Sequence, residues 1–295
     1  MESSAAKAIS ALFGEKPAFL KRIGGGAYGA VFLARLSSSS VCVKVFFRLG
    51  DAAREALWYR ALERANVCLP HIFGECENCL VLEYIPGTNA SLPPAGCDFD
   101  AVGERAAADI ARLHSLRGKS FGRIASEEHL EGGGFTSWRE CYRKIAAAQF
   151  QSAENAARAK LFSPSVPRLF ERVFARFDDI FVEPPYPALI HGDLNAENIM
   201  ISKTSYLCLI DPINSLWGDP ELELFQLTQN GGDRFRLLER YAALRPLSPD
   251  FPLRSACYAA FAEADWFADI RRPQDKLLDG FLNALQKQLQ KYGFL

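Results

Sequence analysis

Along the first third of the chain the apolar positions follow the spacing of β-strands. FLKRI leads into Gly24-Gly25-Gly26, and the runs YGAVFLARL and VCVKVFF are separated by four serines at 37–40. Alternating or continuous apolar runs bounded by Gly and Ser predict strands joined by hairpin turns. The spacing then changes, and DAAREALWYRALERA predicts a helix over about 51–65 with Asp51 as its N-cap. HIFGECENCLVLEYI returns to two strands joined at Glu77-Asn78, and the Pro and Gly of EYIPGTNASLPPAG end them at a hinge.

Beyond that hinge the period is mostly helical. FDAVGERAAADIARLHSL spaces Ala, Ile and Leu at helical intervals, and VPRLFERVFARFDDIFV does so with Leu169, Val173, Phe174 and Phe177. The last pattern sets Leu278, Leu282, Leu285 and Leu289 on one helical stripe. Short apolar runs (PALI, NIMI, YLCLI) read as strands between the helices. The layout is therefore α+β and two-lobed. Residues 1–86 form a small β-rich lobe with one helix, and residues 87–295 a larger, mainly helical lobe.

Composition narrows the function classes. Hydrophobic residues make up 49% and charged residues 23%, the balance of an ordinary globular protein. A net charge of −1 lacks the basic surface that nucleic acid or an anionic membrane requires. No apolar run approaches the roughly 20 residues of a membrane span. MESSAAKAISALFGEKP has neither a basic start nor a sustained apolar core, so no signal peptide is read. The eight cysteines are then expected to be reduced thiols in a cytoplasmic protein. Cys76-Glu-Asn-Cys79 admits a metal or redox reading, but it straddles the expected hairpin turn and no second such pair accompanies it.

Three constellations carry chemistry. In IGGGAYGAV, Gly24, Gly26, Gly29 and Val31 fit G-x-G-x-x-G-x-V, with Gly25 between them. Glycines allow close approach of backbone to phosphate. A dinucleotide-binding loop would lead into a helix, whereas here a strand follows, as in the phosphate-covering hairpin of kinases. Lys44 interrupts the apolar strand VCVKVFF and needs an anionic partner if buried; Glu55 on the next helix is the natural one, Glu63 a weaker alternative. The third is HGDLNAENIM followed by LIDP: Asp193 after one strand, Asn198 five residues on, and Asp211 at the end of another strand. Phosphoryl transfer needs a carboxylate to accept the proton of the attacking hydroxyl, the part of Asp193. It also needs oxygen ligands for Mg²⁺, the part of Asn198 and Asp211. His191 is expected to brace the loop.

HGDLNAENIM resembles the HGD-x-x-x-x-N signature of the aminoglycoside phosphotransferase and fructosamine-3-kinase group of the protein-kinase-like superfamily. LIDPINSLWGDPELEL is similar to that group's metal-binding strand end and acidic helix start. Gly192 stands where protein kinases carry Arg, Asp211-Pro212-Ile213 replaces D-F-G, and no A-P-E segment is present. Asn195-Ala196-Glu197 departs from the Trp-Ser-Gly of fructosamine kinases. The resemblance implies a protein-kinase-like fold and ATP with Mg²⁺ as cofactors. Adenine would lie against Glu83, Tyr84 and Ile85, under a lobe carrying Gly24–Gly29, Val31, Lys44 and Glu55. It also implies a small-molecule acceptor, an amine-bearing sugar of ketosamine or aminoglycoside type. For such an amine, Asp265 and Asp269 lie one turn apart beside Trp266, with Glu263 directed elsewhere; the same stretch also fits a solvated helix face. Asp219, Glu221 and Glu223 are expected to charge a helix N-terminus. Two further readings stand beside the small-molecule kinase: a catalytically inactive kinase-fold binding module, and an atypical protein kinase.

Overall fold

The computed structural model describes residues 1–295. The N-terminal part runs α1 (Glu2–Phe13), β1 (Phe19–Gly25), β2 (Gly29–Arg35), β3 (Ser40–Phe46), α2 (Asp51–Glu63), β4 (Ile72–Cys76) and β5 (Cys79–Glu83). Its antiparallel sheet has the order β1-β2-β3-β5-β4. Alternation along β3 divides its side chains between two faces. Val41, Val43 and Val45 are fully buried in a cluster with Ala5, Ala8 and Ile9 of α1. On the other face Phe46 joins Leu80, Leu82 and Ala52, Ala56 and Tyr59 of α2. Each such Val or Leu contributes about 1.5–3 kcal/mol through burial.

The C-terminal part continues with β6 (Thr88–Asn89), α3 (Phe99–Leu113), β7 (Gly122–Arg123), α4 (Trp138–Arg158), α5 (Ser165–Ala175) and α6 (Phe177–Ile180). Then come β8 (Ala188–Ile190), β9 (Ile199–Ile201), β10 (Tyr206–Leu209), β11 (Leu216–Gly218), α7 (Leu237–Leu244), α8 (Phe251–Asp269) and α9 (Lys276–Lys291). Two three-stranded sheets, β10-β9-β6 and β7-β11-β8, support the loops between them. One core joins α4, α5, α8 and the Leu278–Leu289 stripe of α9. A second contains Leu57, Trp58 and Leu62 of α2 together with Ile110, Leu189 and Leu209, so the two lobes share apolar packing. The indole N–H of Trp58 donates to Ile124 O at 3.0 Å across the same junction.

Small antiparallel N-lobe and helical C-lobe agree with the expected class, and four local expectations change. Residues 2–13 form α1, whose Ala5, Ala8 and Ile9 cover one sheet face. Gly50 in the left-handed conformation, not Asp51, caps α2; Asp51 lies in the first turn and pairs with Arg54 at 3.1 Å. The helix expected from Val166 through Val182 breaks at Arg176 into α5 and α6. LWG forms β11 between β7 and β8. Cys76 and Cys79 face each other across the β4–β5 turn, where Glu77 has φ 51°. No helix is long and apolar enough to cross a membrane.

Candidate active site

The loop from His191 to Asn198 leaves β8 and enters β9 through a short turn of 3₁₀ helix. Asn195 starts that turn, its side chain accepting from Glu197 N at 2.8 Å, as Asn commonly does at helix starts. The turn directs two amides at one carboxylate. Asn195 Nδ2 donates to Asp193 Oδ1 at 2.7 Å, and Asn198 Nδ2 donates to Asp193 Oδ2 at 2.7 Å. Burial raises the Asp193 pKa to about 6 against the opposing pull of those two hydrogen bonds. A carboxyl so poised suits proton transfer near neutrality. His191 is fully buried and kept neutral by that burial, and its Nδ1 accepts from the Asp193 backbone N–H at 3.3 Å.

Glu223 fixes this loop from below. Its buried carboxylate accepts from the backbone N–H of His191 at 3.0 Å and of Gly192 at 2.6 Å. His114 Nε2 lies 2.9 Å from the same group, and His114 Nδ1 lies 2.8 Å from the Tyr241 hydroxyl. The tautomer protonated at Nε2 satisfies both contacts. Burial works to raise the Glu223 pKa, but His114 and the loop amide outweigh it and the carboxyl sits below its ordinary range. The acidic run after Gly218 is thus not simply a charged helix start. Asp219 does cap the turn at 220–222, yet Glu221 holds Ser248 and Arg254, and Glu223 clamps the loop. Glu223→Gln would turn an N–H toward a buried donor. The expected cost is about 1–3 kcal/mol of stability together with a fall in kcat. Thermal unfolding and steady-state kinetics measure both, and an unchanged Tm would mean that Glu223 does not hold the loop.

Lys44, 9% exposed, donates from Nζ to Glu55 Oε2 at 2.6 Å and to Asp211 Oδ1 at 3.1 Å, joining β3, α2 and the end of β10. Burial opposes charge on the amine; Asp211 and Glu55 together outweigh it and raise the Lys44 pKa. Asp211 adopts φ 55°, which Asp tolerates better than most residues, and its backbone N–H donates to the Tyr59 hydroxyl at 2.9 Å. Val31 is paired with both Gly24 and Lys44, so the Gly-rich hairpin runs alongside the strand that carries Lys44. Within that turn, a Cβ on Gly25 would meet Gly29 O at 2.7 Å and one on Gly29 would meet Val45 O at 2.3 Å. Gly26 faces open space. β5 ends at Glu83, whose carboxylate accepts from His71 N at 3.1 Å; Tyr84 and Ile85 follow half-buried.

The residues fit a hard cation. Asn198 Oδ1 and Asp211 Oδ2 accept no hydrogen bond from the protein, while Asn198 Nδ2 and Asp211 Oδ1 are engaged. Two oxygen donors of this kind match Mg²⁺, which takes one or two protein oxygens and completes its shell with water and substrate phosphates.

On α8 the expected pair is present, with a change of emphasis. Asp269 is exposed and accepts from the Tyr28 hydroxyl at 3.4 Å; Asp265 is half-buried, with Ser152 of α4 and Arg123 close by. Trp266 is exposed, with the Arg272 guanidinium 6.0 Å from its ring. Glu263, expected to point elsewhere, faces the loop. It accepts from Gln229 Nε2 at 2.8 Å, and burial followed by the charge of Asp193 raises its pKa. Asn195, Glu223 and His114 lie outside the set of site residues that the motifs predict. Asn195 carries a signal, since Asn two residues before a donor N–H is a common turn opener. Glu223 and His114 reach their partners over more than thirty residues and carry none.

Comparison with known proteins agrees with this fold. A Thermobifida fusca protein assigned as a fructosamine-3-kinase superposes with a TM-score of 0.75 at 21% identity, covering 97% of this chain and 99% of that one. A thermostable mutant of aminoglycoside phosphotransferase APH(4)-Ia, in a ternary complex with ADP and hygromycin B, gives 0.65 at 17% identity over 95% and 98% of the two chains. A macrolide 2′-phosphotransferase type I gives 0.66 at 17% identity over 97% and 96%. No curated protein sequence matches. The family model of the phosphotransferase enzyme family, APH, covers residues 20–268, a span that holds Lys44, Asp193, Asn198 and Asp211, and the chain belongs to that family.

Proposed function

We propose that this protein is an ATP-dependent small-molecule kinase that transfers the γ-phosphate to a hydroxyl of an amine-bearing sugar, of ketosamine or aminoglycoside type. The observation that carries this reading is the shared position of Lys44 between Glu55 and Asp211, at 2.6 and 3.1 Å, beside a loop whose Asn198 holds Asp193 at 2.7 Å. Residues 1–86 act as the nucleotide lobe and 87–295 as the catalytic and acceptor lobe. Gly24–Gly29 cover the phosphates, Val31 and the Glu83–Ile85 segment flank adenine, and Lys44 pairs with phosphate oxygens. Asn198 and Asp211 would hold Mg²⁺, which would supply neutralisation of phosphate charge. Asp193 accepts the proton of the acceptor hydroxyl as its oxygen forms the bond to the γ-phosphorus and the bond to the bridging oxygen of ADP breaks. Asp265, Asp269 and Trp266, with Glu263 added, face the acceptor. Turnover on the order of 1–100 s⁻¹ is expected for kinases of this kind.

Mg²⁺-dependent ATP consumption against a panel of fructosyl-amines and aminoglycosides tests the reading. Acceptor-stimulated turnover is expected, and none above the ATPase background would leave the inactive binding module standing. The pH profile gives a second test. Asp193 works only as a carboxylate, so activity should rise with pH through about 6 and fall about tenfold per unit below it. A profile with no acidic limb would place another group in that role.

A further inference from the structure

Tyr28 sits on the three-residue turn between β1 and β2. Residues 21–27 are all exposed, yet Tyr28 is half-buried. The turn sets its direction. Gly26 N donates to Gly29 O at 3.0 Å, Phe47 N donates to Tyr28 O at 3.0 Å, and Gly25 and Gly29 leave no room for a Cβ. From there the phenol crosses the cleft to α8 and donates to Asp269 at 3.4 Å, a pairing over 241 residues. Burial, then Asp269, and then Asp193 raise the phenol pKa, which keeps it a donor and places it in the field of the base as well as of the α8 carboxylate.

We propose that Tyr28 closes the acceptor site by holding Asp269 through a hydrogen bond that every acceptor must displace and that only an acceptor amine replaces. This rests on the small-molecule kinase reading above. At 3.4 Å the bond is at the long end of its range and exchanges readily. An ammonium gives Asp269 a charge-assisted bond roughly twice as strong as a neutral one. The released phenol then lies against the sugar as an aromatic wall supplied by the nucleotide lobe. An acceptor without the amine must break the same contact and leave Asp269 unpaired, which is a penalty instead of a gain. The turn over the phosphates and the carboxylate on α8 are thereby parts of one recognition surface.

Two measurements decide it. In the ligand-free protein, amide hydrogen exchange of residues 24–29 is compared among the wild type, Tyr28→Phe, Asp269→Ala, which removes the accepting carboxylate, and the double variant. Each single change is expected to speed exchange about 3- to 10-fold, the loss of one ordinary hydrogen bond. The double variant should exchange no faster than the singles. Unchanged exchange in the singles, or additive effects, overturns the proposal. In the second measurement, fructosyl-glycine and kanamycin are compared with their N-acetylated forms. In Tyr28→Phe the contact no longer has to be broken, so kcat/KM is expected to rise about 3- to 10-fold for the free and the acetylated forms alike, while Asp269→Ala loses about 3- to 10-fold of the preference for the free amine. Unchanged or lowered kcat/KM for the acetylated forms in Tyr28→Phe overturns the proposal. Absence of turnover with every acceptor in the wild type rejects the kinase reading instead, and the exchange data still decide the Tyr28–Asp269 contact.

Discussion

Asp193→Asn is expected to lower kcat by roughly 10²–10⁴-fold, the range for removing a positioned acid–base group, while nucleotide affinity stays close to that of the wild type. Its carboxylate is the group held between Asn195 and Asn198, and neither Lys44 nor Asp211 is bonded to it. The fold should tolerate the change. Burial raises the folded-state pKa from 3.8 to about 6, so the native protein binds the proton more tightly than the unfolded chain. Stability therefore declines as pH rises through that window, and the ionised carboxylate opposes folding above it. Asn removes that burden, and it also turns one N–H toward an amide donor, an offsetting loss. The Tm at pH 8 should stay within a few degrees of wild type. Single-turnover kinetics and nucleotide titration check the outcome, and a variant of near-normal rate would take Asp193 out of the mechanism.

The second large effect is structural. Gly192 has φ 94°, and a Cβ there would lie 1.8 Å from Ile213 O and 2.9 Å from Ile213 C. A left-handed conformation costs a side-chain-bearing residue about 1–2 kcal/mol, and forcing two packed backbones apart adds about 1–3 kcal/mol. Gly192→Ala should therefore cost about 2–5 kcal/mol, which lowers Tm by roughly 5–15 °C at about 2–4 °C per kcal/mol in larger domains. It should also abolish most activity, because the segment it displaces carries Asp211 only two residues away. Gly26→Ala is the matched control. Nothing lies within 4 Å of its Cβ, so Tm should be unchanged. Equal melting of Gly192→Ala and wild type would show that the two segments separate without cost.

The candidate site residues Asp193, Asn198 and Asp211 are legible in the sequence because they flank the β9–β10 hairpin within nineteen residues, where short-range spacing sets much of their geometry. Lys44 and Glu55 are legible for a related reason. One buried cation in an apolar strand demands an anion, and the next helix offers Glu55 on the face that packs on the sheet. The remaining parts depend on long-range packing. The Glu223 clamp and its His114 support come from elements 109 residues apart. The phase of α8 sets Asp265 and Asp269 on one face and Glu263 well away from it, and only the packing of that helix against Gln229 decides where Glu263 looks. Helix α1 gives little periodic signal because its three buried residues, Ala5, Ala8 and Ile9, are mostly small and sit among polar or exposed positions. Asp51 reads as a cap because Asp usually is one, and Gly50 takes that place through its left-handed backbone.

The clamp at Glu223 has a consequence for how sequence change would be tolerated. It grips the loop through backbone amides, so the identity of the side chains at 191 and 192 does not enter its bonds. Position 223, by contrast, needs a group that accepts at both oxygens and reaches a fixed depth. Asp falls short by one methylene, and every amide or hydroxyl presents a hydrogen to a hydrogen. In a saturation library selected for phosphate transfer, position 223 should admit scarcely more alternatives than position 193. A map drawn from such a library would show a second, apparently catalytic hot spot that no substrate ever touches.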